Sequence, residues 1–449
     1  MSNSVNWELY QQALANTVTV VRRGRVMQVI GLTIEAQGLK AQIGELCYIA
    51  SQEGQAEIPA EVMGFRDSRT LLMPLGEMHG IGPGSAVWAT GSFFTVPVGN
   101  ALLGRVLDGL GDPIDGQGPI LCPASYPATR AAPPPLGRLP ISQPLETGVR
   151  AIDGFLTVGK GQRMGIFSGS GVGKSTMMGM IARNARADVG VIALIGERGR
   201  EVKEFIDRDL RAAGLARSVV VVSTSDQPAL VRLKGAWVAT AIAEYYRDQG
   251  LDVIFLMDSV TRFAMAQREV GLAIGEPPTM KGYTPSVFAF LPKLMERTGT
   301  GEKGTITSFY TVLVESDDLT EPITDAVRSI LDGHVVLSRD LAAQNHYPAI
   351  DVLQSVSRVM PAITSQEHRS AAGRLRDLMA TYNKASDLIN IGAYVAGSNP
   401  AIDRAIALMP EITAFLRQGA YETTPYAETL STLQDIALAD TQLAVGGRS

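Results

Sequence analysis

Apolar positions change their spacing several times along the chain, and each change predicts a different architecture. Between about residues 17 and 95, short β-branched or apolar runs at 17–21, 26–32, 70–73 and 85–90 are punctuated by glycine. Short strands with turn signals between them predict a small β-barrel. Ahead of them, Trp7, Tyr10, Leu14 and Val18 fall at roughly helical spacing and predict a short leading helix. From 104 to 144 glycine and proline dominate, with a triple proline at Pro133, Pro134 and Pro135. Proline fixes φ and supplies no backbone donor, so this stretch reads as a long ordered connector lying along the next domain. From 149 to about 360, strand-length runs at 163–167, 189–195, 218–223, 253–257 and 305–314 alternate with helix-forming stretches. That alternation predicts βαβ units in a mostly parallel sheet. After 364 the period becomes helical: Leu375, Leu378, Met379 and Tyr382 stand at i, i+3, i+4 and i+7, and further helices fit 400–417 and 427–439.

Composition narrows the class. A chain of 449 residues, 45% apolar, can build two or three cores. Forty basic against 45 acidic residues leave a charge of −5, which argues against a nucleic-acid coat or a polybasic protein. Cys47 and Cys122 match no metal-ligand spacing and read as two reduced thiols of a cytosolic protein. No apolar run has the length of a membrane helix, and residues 1–10 lack the basic-then-apolar order of a secretory signal. The expectation is a cytoplasmic protein whose membrane contact is at most peripheral.

The strongest chemical signal is Ser168-Gly169-Ser170-Gly171-Val172-Gly173-Lys174-Ser175-Thr176. It follows the apolar run 165–167 and precedes the helix-forming stretch 177–187, the strand–loop–helix context of a phosphate-binding loop. Successive backbone N–H groups and a helix N-terminus make a concave anion site. Lys174 is expected to reach the β- and γ-phosphates, and the Ser175 hydroxyl to ligate magnesium. The strict pattern has glycine where this chain has Ser168; a small residue fits there, because Gly169, Gly171 and Gly173 still relax the loop.

Two acids follow strands. Asp258 ends the run 251–258, where a carboxylate at the end of a parallel strand can hold magnesium through water; alone, the same pattern is a capping aspartate. Glu197, in Gly196-Glu197-Arg198 after 189–195, could orient and polarise an attacking water, and the pattern fits an exposed acidic turn equally well.

These residues, together with Val149-Arg150-Ala151-Ile152-Asp153-Gly154, Glu197-Arg198-Gly199-Arg200-Glu201, Asp258-Ser259-Val260-Thr261-Arg262-Phe263, Gly275-Glu276-Pro277-Pro278, Asp332-Gly333-His334 and His346-Tyr347-Pro348-Ala349-Ile350-Asp351, resemble the catalytic subunits of rotary ATPases and their export relatives. The resemblance covers almost the whole chain and is strongest to flagellar type III protein-export ATPases. It implies an α/β fold: an N-terminal β-barrel with its leading helix over 1–95, a connector and RecA-like ATPase domain over 96–364, and a helical C-terminal domain over 365–449. It implies that Glu197 activates water, that Arg198 and Arg262 lie near the γ-phosphate, that Tyr347 packs on the adenine, and that Arg358 reaches into a neighbouring subunit's site. It further implies magnesium, a homohexamer, a stator-like regulator, a coiled-coil central stalk protein, export chaperone–substrate complexes, export-gate membrane proteins and a place at the inner face of the cytoplasmic membrane. Residues 171–174 and 388–395 look more flagellar than virulence-type; an injectisome ATPase or a rotary synthase catalytic-type subunit is the alternative. Arg22, Arg23 and Arg25 read as a solvated strand end, and the resemblance adds contact with acidic lipid or a regulator as a second reading.

Overall fold

The computed structural model describes residue 7 and residues 22–51, 57–314, 318 and 320–446. The predicted run 17–21 and all of the leading helix except Trp7 lie outside the described residues. Two compact units part between Phe94 and Thr95, and the short segment Ala273–Gly275 groups with the first.

The first unit is a closed antiparallel barrel of β1 (Arg23–Ile30), β2 (Thr33–Gln37), β3 (Glu45–Ala50), β4 (Glu57–Arg66), β5 (Arg69–Pro74) and β6 (Ala86–Phe93), in the order β1-β2-β5-β4-β3-β6. Alternate residues of each strand point inward, and Val26, Ile34, Cys47, Ile49, Val62, Leu72 and Val87 fill the interior. Burial pushes the Cys47 thiol up to about 12, so it stays protonated and packs as a small apolar group. Arg22, Arg23 and Arg25 are exposed at the start of β1, where the Arg23 guanidinium lies 5.4 Å from the centre of the Trp88 ring.

The second unit is built on a sheet whose main strands are β7 (Val106–Asp108), β8 (Arg163–Ser168), β9 (Val189–Ile195), β10 (Ser218–Ser223), β11 (Asp252–Asp258), β12 (Thr305–Leu313), β13 (Gly333–Leu337) and β14 (Ile350–Ser357). Their order is β14-β13-β8-β12-β11-β9-β10-β7, all parallel except β14. All seven residues of β9 are buried, which is why its sequence is continuously apolar rather than alternating. The connector is more than a strap: its Val106–Asp108 pairs in parallel with Val220–Val222 and extends the sheet by a strand. Asp115, gripped by Arg105 at 2.7 and 2.8 Å, anchors the turn that follows.

Helices cover both faces. On one face Ile166, Ile192, Leu194, Ile254 and Leu256 share a core with α1 (Arg150–Phe155) and α2 (Lys174–Asn184). On the other, α3 (Ala229–Asp248) packs on β9, β10 and β11. Its Trp237 meets Phe263 of α4 (Val260–Ile274) and Phe290 of α5 (Pro285–Met295) edge-on at 5.8 and 6.2 Å. The C-terminal helices are α6 (Gln366–Asn390), α7 (Pro400–Leu416) and α8 (Tyr426–Gly446). Ser365 caps α6 by accepting the His368 N–H, and Asn399 caps α7 with Pro400 at its first position. Leu375, Leu378, Phe415 and Leu433 join the same core as α1, so the helices are fused to the sheet layer.

One buried ion pair ties α3 to the connector. Arg297 donates to both carboxylate oxygens of Glu244 at 2.9 and 2.7 Å and to the Ala128 carbonyl at 2.6 Å, with the two side chains 0% and 1% exposed. Removing one partner of such a pair strands the other charge away from water. Glu244→Ala should therefore destabilise the second unit by about 3–5 kcal/mol in urea denaturation, whereas replacing both residues with apolar side chains of similar volume should recover most of the loss.

Candidate nucleotide-binding site

The parallel strands set the site, because β8, β9 and β11 all end on the same edge of the sheet. Ser168 is the last residue of β8 and pairs with Leu337 on β13 and Leu313 on β12. Gly171 and Gly173 adopt φ of 80° and 87°, which L side chains rarely tolerate, and they turn the chain into α2 at Lys174. Ser168 and Val172 are buried, whereas Ser170, Gly171, Ser175 and Thr176 face solvent around the loop. The Ser168 hydroxyl has no hydrogen-bond partner among the described residues.

Beneath the loop lie charged groups that are largely shut off from water. The Lys174 ammonium contacts Asp258 Oδ1 and stands 3.9 Å from Glu197 Oε1, with side-chain exposures of 13%, 6% and 12%. Glu197 Oε1 is buried and accepts no hydrogen bond from the described residues. Burial pushes the Glu197 carboxyl up to about 7, and the negative charge of Asp258 adds to it, against opposition from Lys174 and Arg262. Gly196 takes φ 72° and lies against the Arg262 side chain, so a methyl there would come within 2.7 Å of Arg262 Cβ. Arg262 itself, on the first turn of α4, keeps a buried Nε without a partner. Sequence and structure thus bring Lys174, Glu197, Asp258 and Arg262 together.

The other predicted residues stand apart. Arg198 is exposed and pairs with Glu201 at 3.1 Å, outside the cluster. Tyr347 precedes β14 and flanks the loop: a methyl on Gly173 would reach its ring at 3.4 Å. Because β14 is antiparallel, running from Ile350 beside Leu337 to Ser357 beside Gly333, Arg358 emerges exposed at the far end of the sheet from Ser168. Its N–H is held by the Asp332 carbonyl at 3.0 Å.

Sequence reasoning missed Thr311. Fully buried on β12 between β8 and β11, it donates to Asp258 Oδ1 at 2.7 Å and fixes the carboxylate against the strand end. Thr311 is one of five hydroxyl-bearing residues on β12, so nothing in the sequence singled it out.

A glycine loop at the carboxyl edge of a parallel sheet, with a lysine, two acids and an arginine under it, defines a RecA-like P-loop nucleotide-binding protein. The chain matches the ATP synthase alpha/beta family, nucleotide-binding domain, over residues 148–357, the beta-barrel domain of that family over 26–91, and the T3SS EscN ATPase C-terminal domain over 364–435. It is 57% identical to the flagellum-specific ATP synthase of Bacillus subtilis, covering 92% of this chain and 95% of that one. It is 52% identical to the type 3 secretion system ATPase of Xanthomonas euvesicatoria, covering 95% and 96%. The assembled ATPase EscN of enteropathogenic E. coli superimposes with a TM-score of 0.88 at 47% identity, over 92% of this chain and all of that one. The same ATPase in complex with its central stalk EscO gives 0.86 at 46%. The chain belongs to the flagellar and type III secretion ATPases of the ATP synthase alpha/beta family, and it is an ATPase.

Losing a hydrogen bond to a charged group costs about 1.5–3 kcal/mol. Thr311→Val should accordingly lower ATP turnover by about tenfold or more, and Thr311→Ser, which keeps the donor, should restore it.

Proposed function

We propose that this chain hydrolyses ATP to energise flagellar type III protein export as one subunit of a homohexameric ring. The observation that carries the chemistry is the buried cluster of Lys174, Glu197 and Asp258 beneath the loop. Residues 168–176 cradle the phosphates by their backbone N–H groups, and Lys174 moves from Asp258 to the β- and γ-phosphates when nucleotide arrives. Glu197, whose raised affinity for a proton suits a base working near neutrality, takes the proton of the attacking water. The water oxygen forms its bond to the γ-phosphorus as the bond to the β,γ-bridging oxygen breaks, leaving ADP and phosphate. Arg262, and Arg198 after a rotation toward the loop, neutralise charge on the transferred group. Tyr347 stacks on the base.

The donor set suits magnesium: a hydroxyl from Ser175 on the open side of the loop and the Asp258 carboxylate are hard oxygen ligands. Bound there, with Asp258 acting through water, the ion would neutralise the β- and γ-phosphate oxygens.

Arg358 cannot serve its own loop from the opposite end of the sheet, which supports a role in the neighbouring subunit and hence a ring closed by a heterologous interface. The assembled form of EscN and its complex with a central stalk support the ring and a stalk-like partner for this chain. The family points further to a stator-like regulator, export chaperone–substrate complexes and export-gate membrane proteins, and to a cytoplasmic enzyme held at the inner face of the membrane. No helix among the described residues is long and apolar enough to cross a membrane. The flagellar assignment is supported by 57% identity to a flagellum-specific relative against 52% to a secretion-system one. Within this reading, residues 1–95 form the barrel domain, 96–364 the connector and ATPase domain, and 365–449 the helical domain.

Two outcomes test the proposal. Lys174→Ala should abolish ATP hydrolysis, and Glu197→Gln should keep nucleotide binding while turnover falls by about a hundredfold or more; near-normal turnover in either variant overturns its assigned role. Arg358→Ala should bind ATP normally and lose about a thousandfold in rate. Mixing it with Lys174→Ala should restore part of the activity, since a mixed ring sets an intact loop beside an intact Arg358. Demonstrably mixed rings that stay inactive at every ratio, when doping wild-type rings with either variant lowers activity only in proportion, would place Arg358 in its own subunit's site.

A further inference from the structure

The Arg358 side chain is exposed, yet the backbone that carries it is fixed. Its strand, β14, ends with Ser357 paired to Gly333 of β13. One residue further, the Arg358 N–H is given to the Asp332 carbonyl at 3.0 Å. Asp332 is held in turn by Arg163, whose backbone N–H and Nε each donate to Oδ2 at 3.1 Å and whose carbonyl accepts the Asp332 N–H at 2.9 Å.

Behind this joint lies Gln162, 0% exposed in the turn before β8. Its Nε2 donates to the Asp332 carbonyl and to Ser357 Oγ, both at 3.1 Å, and its Oε1 accepts the Gly159 N–H at 2.8 Å. Ser357 Oγ donates to the Thr157 carbonyl at 2.8 Å and accepts the Met360 N–H at 3.3 Å. A hydroxyl has one donor and two acceptor positions, and here all three are taken. One amide and one hydroxyl thus bridge the carbonyl that holds Arg358, the residue before it and the residue two after it. Gln162 precedes β8 at the end opposite Ser168, so it stands away from its own phosphate loop.

An arginine acting across a subunit boundary must present its guanidinium accurately at the end of a long side chain, and a misplacement of about 1 Å costs about a hundredfold in rate. Locking the root of that side chain is what its own subunit can contribute. We propose that Gln162 and Ser357 are positioning residues for Arg358, setting the direction in which it leaves the sheet toward the neighbouring site. The proposal rests on the reading of Arg358 as acting in trans.

The test is complementation in mixed rings. Gln162→Met keeps the length of the side chain and removes both polar groups. It should assemble, bind ATP as wild type does and hydrolyse it about a hundredfold more slowly. Mixed with Lys174→Ala, which supplies an intact Arg358, it should regain activity. Mixed with Arg358→Ala it should regain none, because neither chain then delivers the arginine. An amide that served only its own subunit's site would sort the other way. Ser357→Ala, a smaller change at the same joint, should behave alike, and it decides the matter if Gln162→Met does not assemble. Arg358→Ala mixed with Lys174→Ala is the control. Where that pair recovers, undiminished turnover in the joint variants, recovery with Arg358→Ala, or none with Lys174→Ala overturns the positioning proposal alone. Where demonstrably mixed rings of the control pair stay inactive, the reading of Arg358 falls, and this proposal with it.

Discussion

Two carboxylates and one ammonium confined under a glycine loop impose the constraint on which the rest of this structure depends. Lys174 can touch only one of them closely, and it touches Asp258. Glu197 is left with a buried oxygen lacking a donor, and its carboxyl is pushed up to about 7. An unpaired buried charge is costly, so such a cluster persists only where surrounding structure over-determines it. Here β8, β9 and β11 deliver Lys174, Glu197 and Asp258 to one edge. Thr311 pins the acid, and the left-handed Gly196 lets the chain lie against Arg262. Lys174 and Arg262 balance the two acids in formal charge, while Glu197 Oε1 and Arg262 Nε are left without hydrogen-bond partners among the described residues.

The antiparallel β14 gives the same unit a polarity. Tyr347 and Arg358 stand at the two ends of β14, one beside the phosphate loop and the other at the far edge. The C-terminal region reaches the phosphate loop as well. Phe415 meets Phe155 edge-on at 6.0 Å, and the turn Gln418-Gly419-Ala420 after α7 lines a cleft with Gly171 and Gly173 of the phosphate loop. Arg150 locks that turn through the Phe415 carbonyl and Thr424. Whatever fills the cleft therefore presses on helices that carry no catalytic group.

What the sequence disclosed follows from how local each signal was. The runs at 189–195 and 218–223 are strands with those bounds, because a strand buried on both faces is written as unbroken apolar residues. The phosphate loop was legible because backbone geometry demands glycines at fixed offsets. The helix predicted over 400–417 is α7, Pro400–Leu416, which Asn399 caps. The strand at Val106–Asp108 was not, since three residues amid glycine and proline carry no period and are strand only through Val220 to Val222. Nor could the Arg297–Glu244 pair or Thr311 be read ahead, because each is defined by a partner 53 residues away. Arg198 shows the converse: a charged residue beside Glu197 in sequence need not point where Glu197 points.

The barrel closes on itself, β1 pairing with β6, and closure has an effect on how that unit can be recognised. Each described strand of the barrel has a neighbour on both sides, so there is no edge strand for a visiting segment to extend. Adhesion there must be written in side chains, among them the exposed Met27, Ile30 and Phe65. Contacts of that kind are tuned residue by residue and come apart without any backbone being re-paired, so one barrel can change companions while keeping its fold.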